Sequence, residues 1–254
     1  MINCVERGPG LNEVRHSNCL TLAKQTLEHN ENEIDRKQII NWTCLNDLFR
    51  CSFEVDPDSF MKHMFTSCLG FQPCIKESLQ YQTSNKETTF FPSVSSDDIA
   101  NYTSDVVAAA RSNDLSTLKE LHKSGKTLSC CNPFGESMLH MVCRRGYSEM
   151  LSFLLEEVEV SVRIIDDSGR NPLHDALWNS NCNFDVVSML IYRDPSLLLF
   201  SDKRGHSPFT YARKEHWRKW IEFLWDRKDR IIASVQKETM EIFRVPDEGN
   251  EIVN

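Results

Sequence analysis

Glycine is scarce in this chain. Its 254 residues include nine, where the usual ~7% would supply about 18. The shortage excludes collagen-like and Gly-rich linker classes and leaves few glycine-built turns. Long apolar runs are also missing. The longest is Val106 to Ala110, far short of the ~20 residues that span a bilayer as a helix. Glu6, Arg7, Glu13 and Arg15 interrupt any apolar core near the N-terminus, so no signal peptide is expected. The expectation is a soluble intracellular protein, cytoplasmic or nuclear, with its ten cysteines as thiols. There is no G-x-x-x-x-G-K and no G-x-G-x-x-G to cradle a phosphate. No nucleophile, base and orienter occur as a recognisable set. An enzyme is therefore not expected, nor a cofactor. The net charge of −8 speaks against indiscriminate nucleic-acid binding, while leaving local patches open.

What is present divides into two halves. A hydrophobic fraction of 40% with 26% charged residues is ordinary for a globular chain. Residues 1–37 are polar and expected to be disordered. Ile40, Leu45, Leu48 and Phe49 have roughly helical spacing, so 38–95 reads as a small helical segment followed by a linker over 82–89. Six cysteines fall in this half: Cys4, Cys19, Cys44, Cys51, Cys68 and Cys74. The pairs Cys44/Cys51 and Cys68/Cys74, with His63 between, are spaced too widely for an ordinary zinc knuckle. Buried thiols are the simpler reading, and a metal site is the alternative.

The second half repeats. FGESMLHMVCRRGYSEMLSFLL, SGRNPLHDALWNSNCNFDVVSMLI and RGHSPFTYARKEHWRKWIEFL align, after a weaker copy, SDVVAAARSNDLSTLKEL. A Ser/Asn slot falls at Ser104, Ser137, Asn171 and Ser207, with spacings of 33, 34 and 36. Gly135, Gly169 and Gly205 sit where the chain turns into a helix, which permits positive φ. Ser137, Asn171 and Ser207 are good N-caps, and Pro172 and Pro208 suit the first helical position. Two short helices per copy cannot bury their apolar faces alone, so neighbours must stack.

This pattern resembles the ankyrin repeat over about residues 100–226. The implied fold is all-α: a solenoid of about four helix-turn-helix repeats (104–136, 137–170, 171–206 and 207–226, within 96–226) behind a partly disordered N-terminal region. A capping helix is expected over 227–244 and a fraying tail over 245–254. The first copy is atypical, with Val106 and Val107 in place of Leu-His, and the fourth has Thr210 in the histidine slot. His140 and His174 are best read as structural, each bonding its own turn and the neighbouring loop as the family's motif histidine does. Cys130–Cys131 reads as an incidental solvent-facing pair, with a redox switch as the alternative. At least two of Trp217, Trp220 and Trp225 should pack the last repeat interface.

The resemblance implies non-enzymatic protein binding on a concave surface. Carrying its exposed slots over gives seventeen positions: Arg111, Ser112, Pro133, Phe134, Glu136, Arg144, Arg145, Asp167, Ser168, Arg170, Trp178, Asn179, Lys203, Arg204, His206, Lys214 and Glu215. Seven are Lys or Arg, where the chain average predicts about two, and three are acidic. The expectation is a basic face gripping an acidic or phosphorylated segment, with Phe134 and Trp178 as apolar anchors. Solvated helix ends that tolerate Lys and Arg are the plainer explanation. A regulatory or targeting protein whose Cys-rich N-terminal region carries the activity is the alternative function. Nucleic-acid binding is disfavoured, because few aromatics interleave the basic positions.

Overall fold

The structure, a computed structural model, describes residues 55–69, 76–77 and 90–242. The readings of 1–37 as disordered, of 82–89 as a linker, of 245–254 as a tail and of the six N-terminal cysteines fall outside the side chains described.

The described elements are mostly helical. In chain order they are α1 (Pro57–Leu69), β1 (Lys76–Glu77), α2 (Ser96–Ala100), α3 (Ser104–Ser112), α4 (Leu115–Lys123), α5 (Met138–Arg145), α6 (Ser148–Glu156), α7 (Pro172–Trp178) and α8 (Phe184–Arg193). A 3-10 turn (Pro195–Leu199), β2 (Phe200–Ser201), two further 3-10 turns (Pro208–Tyr211 and Lys214–His216) and α9 (Trp217–Ile242) complete the order.

The repeat helices run seven to ten residues, too short to be stable in isolation. Their starts are set locally. Ser137 and Asn171 hold extended backbone and close capping boxes with His140 and His174 three residues on. Pro172 supplies the first helical residue of α7. Packing does the rest. Helix pairs α3/α4, α5/α6 and α7/α8 form hairpins, α5 packs on α3 and α7 on α5, while α8 packs on α6. The interior they enclose includes Val106, Leu118, Leu139, Val142, Leu151, Leu154, Leu173, Val187 and Leu190, all fully buried. Gly146 ends α5 at φ +73, and a Cβ there would meet the Asn183 carboxamide of the next repeat at 2.0 Å.

The C-terminal end departs from the expected fourth helix-turn-helix unit. After Ser207 the chain makes a 3-10 turn, Pro208–Tyr211, where an α-helix was expected, and Ala212 leaves it in extended conformation before the second 3-10 turn. Ser207 makes no capping bond to its own turn. The expected boundary between a repeat ending at 226 and a separate capping helix from 227 is also absent. A single helix, α9, runs through it. The reason is in its composition: no Gly or Pro interrupts 217–242, and Trp220, Ile221, Leu224, Ile231 and Val235 form one buried helical stripe. Trp220 sits among Phe184, Phe209 and Phe223, with ring centroids 4.9, 6.0 and 5.5 Å away. Trp217 is partly exposed, and its indole donates to the Ala212 carbonyl at 3.0 Å.

Residues N-terminal to the repeats run back along the stack. The Cys131 N–H donates to the Asp98 carbonyl. Phe90 and Phe91 pack on Phe200 at 4.5 and 4.7 Å between centroids. Lys76–Glu77 forms a two-residue parallel ladder with Phe200–Ser201. Helix α1 packs on α9 and on the 208–211 turn, burying Phe60, Met61, Met64 and Phe65. The Ser207 hydroxyl donates to Asp58. This course corrects one expectation. Cys130 and Cys131 are 4% and 7% exposed rather than solvent-facing, because residues 92–98 lie against them. Burial, with Cys131 and Asp98 beside it, pushes the Cys130 thiol up to about 12, which disfavours the reactive thiolate.

Candidate protein-binding surface

The second, third and fourth copies each open with a turn loop built on one side-chain oxygen. Asn132 Oδ1 accepts from the N–H of Phe134 and Glu136 at 2.9 and 3.0 Å. Asp166 Oδ1 accepts from Ser168 and Arg170 at 3.0 and 2.8 Å, and Asp202 Oδ1 from Arg204 and His206 at 2.9 and 2.8 Å. Successive loops are joined in register: Asp167 N–H donates to the Phe134 carbonyl and Lys203 N–H to the Ser168 carbonyl, both at 2.8 Å. The packing is close enough that a Cβ on Gly135, at φ +75, would fall 2.9 Å from the Ile165 carbonyl.

Histidines link one repeat to the next. His140 Nδ1 accepts from the Ser137 N–H at 3.2 Å, and its Nε2–H donates to the Arg170 carbonyl at 2.9 Å. His174 does the same with Asn171, at 3.2 Å, and the His206 carbonyl, at 3.1 Å. The carbonyl acceptors require the Nε2–H tautomer. Burial lowers the His174 pKa to about 4, so the ring is neutral at physiological pH.

Residues 106–200 match the family model described as ankyrin repeats, in three copies. These residues form an ankyrin-repeat array. Among curated proteins the chain is similar to a putative ankyrin repeat protein of Rickettsia bellii (strain RML369-C), 24% identical over 120 residues, covering 47% of this chain and 65% of that one. It is also similar to the putative glutaminase 2 of Caenorhabditis elegans, 34% identical over 71 residues, covering 28% of this chain and 12% of that protein. The chain thus spans a small part of one relative's length and just under two thirds of the other's. A solved structure of a predatory endopeptidase from Bdellovibrio bacteriovorus, in complex with an immunity protein, aligns with TM-score 0.38 at 18% identity over 55% of this chain and 66% of that one. Ankyrin arrays are generally binding modules without catalysis.

The expected binding residues of the ankyrin array fall into two groups. Three cations are held by carboxylates. Arg144 makes a fork to the fully buried Asp175, at 3.1 and 3.0 Å, and reaches Glu136 at 2.7 Å. Arg170 is paired with buried Asp166 at 2.7 and 2.5 Å. Arg204 lies 3.5 Å from buried Asp202 and donates to the Tyr211 hydroxyl at 2.7 Å, which in turn donates to Asp202 at 2.5 Å. Burial pushes the Asp202 carboxyl up, yet the Tyr211 hydroxyl and the backbone N–H groups hold it below its usual range. Arg111, Arg145, Lys203 and Lys214 are exposed and form no ion pair with a described residue. Asp166, Asp175 and Asp202 were missing from the seventeen slots, and their addition brings the acids to six against seven cations.

Part of the set converges. Trp178, 46% exposed, lies 5.8 Å from Tyr211 between ring centroids. Arg170 sits over Trp178, and Arg204 over Tyr211, each at 5.9 Å. His206 is 6.2 Å from Tyr211. Trp178, Arg204, Tyr211, Arg213, Lys214 and Glu215 line an open depression of 550 Å³. Arg111, Phe134 and Arg145 do not line it, although Phe134 is 66% exposed on its own turn. Tyr211 and Arg213 escaped the sequence reading, since a helix was expected there and helical spacing would turn them elsewhere. The loop residues Asn132, Asp166 and Asp202 were legible in principle: each stands three residues before a turn glycine, with spacings of 34 and 36. Among the described residues, no three His, Cys, Asp or Glu side chains cluster to hold a metal ion. No described helix is long and apolar enough to cross a membrane.

Proposed function

We propose that this ankyrin array is a protein-interaction module whose partner seats an acidic or phosphorylated segment across the turn loops and around Trp178. The observation that carries this reading is the pairing of exposed Trp178 with half-buried Tyr211, flanked by Arg170, Arg204 and Lys214 at an open depression. Tryptophan and arginine supply most of the energy at protein interfaces. A guanidinium already positioned by a carboxylate and a ring loses less freedom when an anion arrives. Lys203 on its turn loop, and Arg111 and Arg145 at the ends of α3 and α5, would add attraction, and Phe134 an apolar contact. Arg144, forked onto Asp175, serves mainly to hold α5 to α7. A paired Trp178→Ala and Lys203→Glu/Lys214→Glu comparison tests this reading. Both variants should lose the partner captured by the wild-type chain while keeping its thermal transition. Undiminished capture by both overturns the proposal.

A further inference from the structure

A second cavity lies between α8 and α9, and of its lining residues only Phe223 and Ile231 have a part in the fold described above. Its volume is 120 Å³. Ile191, Phe223 and Ile231 make its apolar floor. Two guanidinium groups stand at its rim, one helical turn apart on α9. Arg227 lies over the Phe223 ring at 4.2 Å, and Arg230 over the Tyr192 ring at 4.4 Å. Neither forms an ion pair with a described carboxylate. Stacking on a ring fixes a guanidinium without consuming its N–H donors. Two half-buried serines, Ser188 on α8 and Ser234 on α9, line the same cavity. Neither hydroxyl has a hydrogen-bond partner among the described residues. Tyr192, 73% exposed, is the most exposed large apolar side chain among the described residues.

These are the parts of an anion receptor: two positioned, unpaired cations, two unspent hydroxyl donors, and a wall of low polarity that strengthens charge-assisted bonds. A carboxylate offers two acceptor oxygens in one plane. A phosphoryl group offers three in three directions, which suits donors arriving from both helices. The geometry points to the α8–α9 cavity as a binding site for a phosphoryl group carried on a serine or threonine side chain of a partner protein. Aspartates 226 and 229 lie on the same helix, and Asp229 is held by Lys228 at 3.7 Å.

The test uses the full chain and O-phosphoserine as probe, with inorganic phosphate, unphosphorylated serine and acetate at matched ionic strength. Arginine side-chain Nε–H resonances are followed by NMR. O-phosphoserine should move those of Arg227 and Arg230 saturably, at concentrations at least tenfold lower than acetate. Serine should move neither, and inorganic phosphate should compete. In Arg227→Gln and Arg230→Gln the response should drop at least fivefold, with unchanged thermal transitions. Ser188→Ala/Ser234→Ala should weaken phosphoserine more than acetate. Equal response to acetate and phosphoserine, or a response untouched by the glutamine variants, overturns the proposal. The site is separate from the Trp178 depression, so Trp178→Ala should leave the titration unchanged.

Discussion

The internal repeats and the C-terminal end of the array solve the same joining problem differently. His140 and His174 each reach forward to a carbonyl of the following loop, Arg170 and His206 respectively. At the matching slot of the last copy stands Thr210, where no further loop of the array follows to accept from an imidazole. A buried ring nitrogen without a partner would cost about 1–3 kcal/mol. The Ser-to-His capping box is missing there too, and a single 3-10 turn replaces the α-helix. The exposed end is closed instead by α1, which arrives from the far side of the repeats and takes the Ser207 hydroxyl onto Asp58. A terminal repeat needs a cover rather than a joint, and here two segments from opposite ends of the sequence supply it.

Several substitutions would sharpen or break this contrast. The largest effect belongs to the joint between α5 and α7. Arg144→Met leaves Asp175 buried without its cation and should cost about 3 kcal/mol in urea unfolding. A change under 0.5 kcal/mol would mean that the fork is dispensable.

The histidine joint comes next and carries a pH signature. The folded pKa of His174 is about 4, below its ordinary value of 6.5. The unfolded chain therefore binds a proton in that window and the folded chain does not. Stability from this group is complete above pH 6.5 and is lost as pH falls towards 4, by roughly 3 kcal/mol in all. His174→Gln should flatten that slope while lowering stability at pH 7 by about 1–2 kcal/mol. An unchanged slope between pH 6.5 and 4.5 would remove the joint from the account.

The turn glycines separate the regions directly. Gly135→Ala meets both a positive φ and the Ile165 carbonyl, whereas Gly205→Ala meets open space at φ +80. The first should cost about 2–3 kcal/mol and the second about 1 kcal/mol. Equal costs would show that loop packing adds nothing inside the array.

The smallest effect is expected at the cover. Asp58→Ala should cost about 1 kcal/mol. Faster amide exchange should be confined to residues 207–224 and leave α5 to α8 untouched. Exchange that rises equally across all repeats would mean that α1 is part of the array itself.

Much of the array was legible because its determinants are local. A capping residue, a proline one position later, apolar residues at helical spacing and a glycine at each turn act within a few residues. They recur at 33 to 36, so three helical pairs could be placed before any packing was known. The surface was less legible. The exposed slots of the repeat include Trp178 and the arginines but not Tyr211, because the turn that presents it is 3-10 rather than α-helical. They also overstate the net positive charge, because Asp166, Asp175 and Asp202 lie just behind them.

By itself, then, the sequence determined the period, the starts of the repeat helices and the turn loops, each set by contacts between residues a few positions apart. Tertiary structure decided what depends on distant partners. It put Asp175 behind Arg144 across 31 residues and laid α1 on Ser207 across 149. It carried α9 straight through the expected repeat boundary, since one unbroken apolar stripe had a continuous surface to cover. The −8 of the whole chain is a sum over residues, whereas the charge a partner meets depends on which carboxylates the fold has already placed against its arginines.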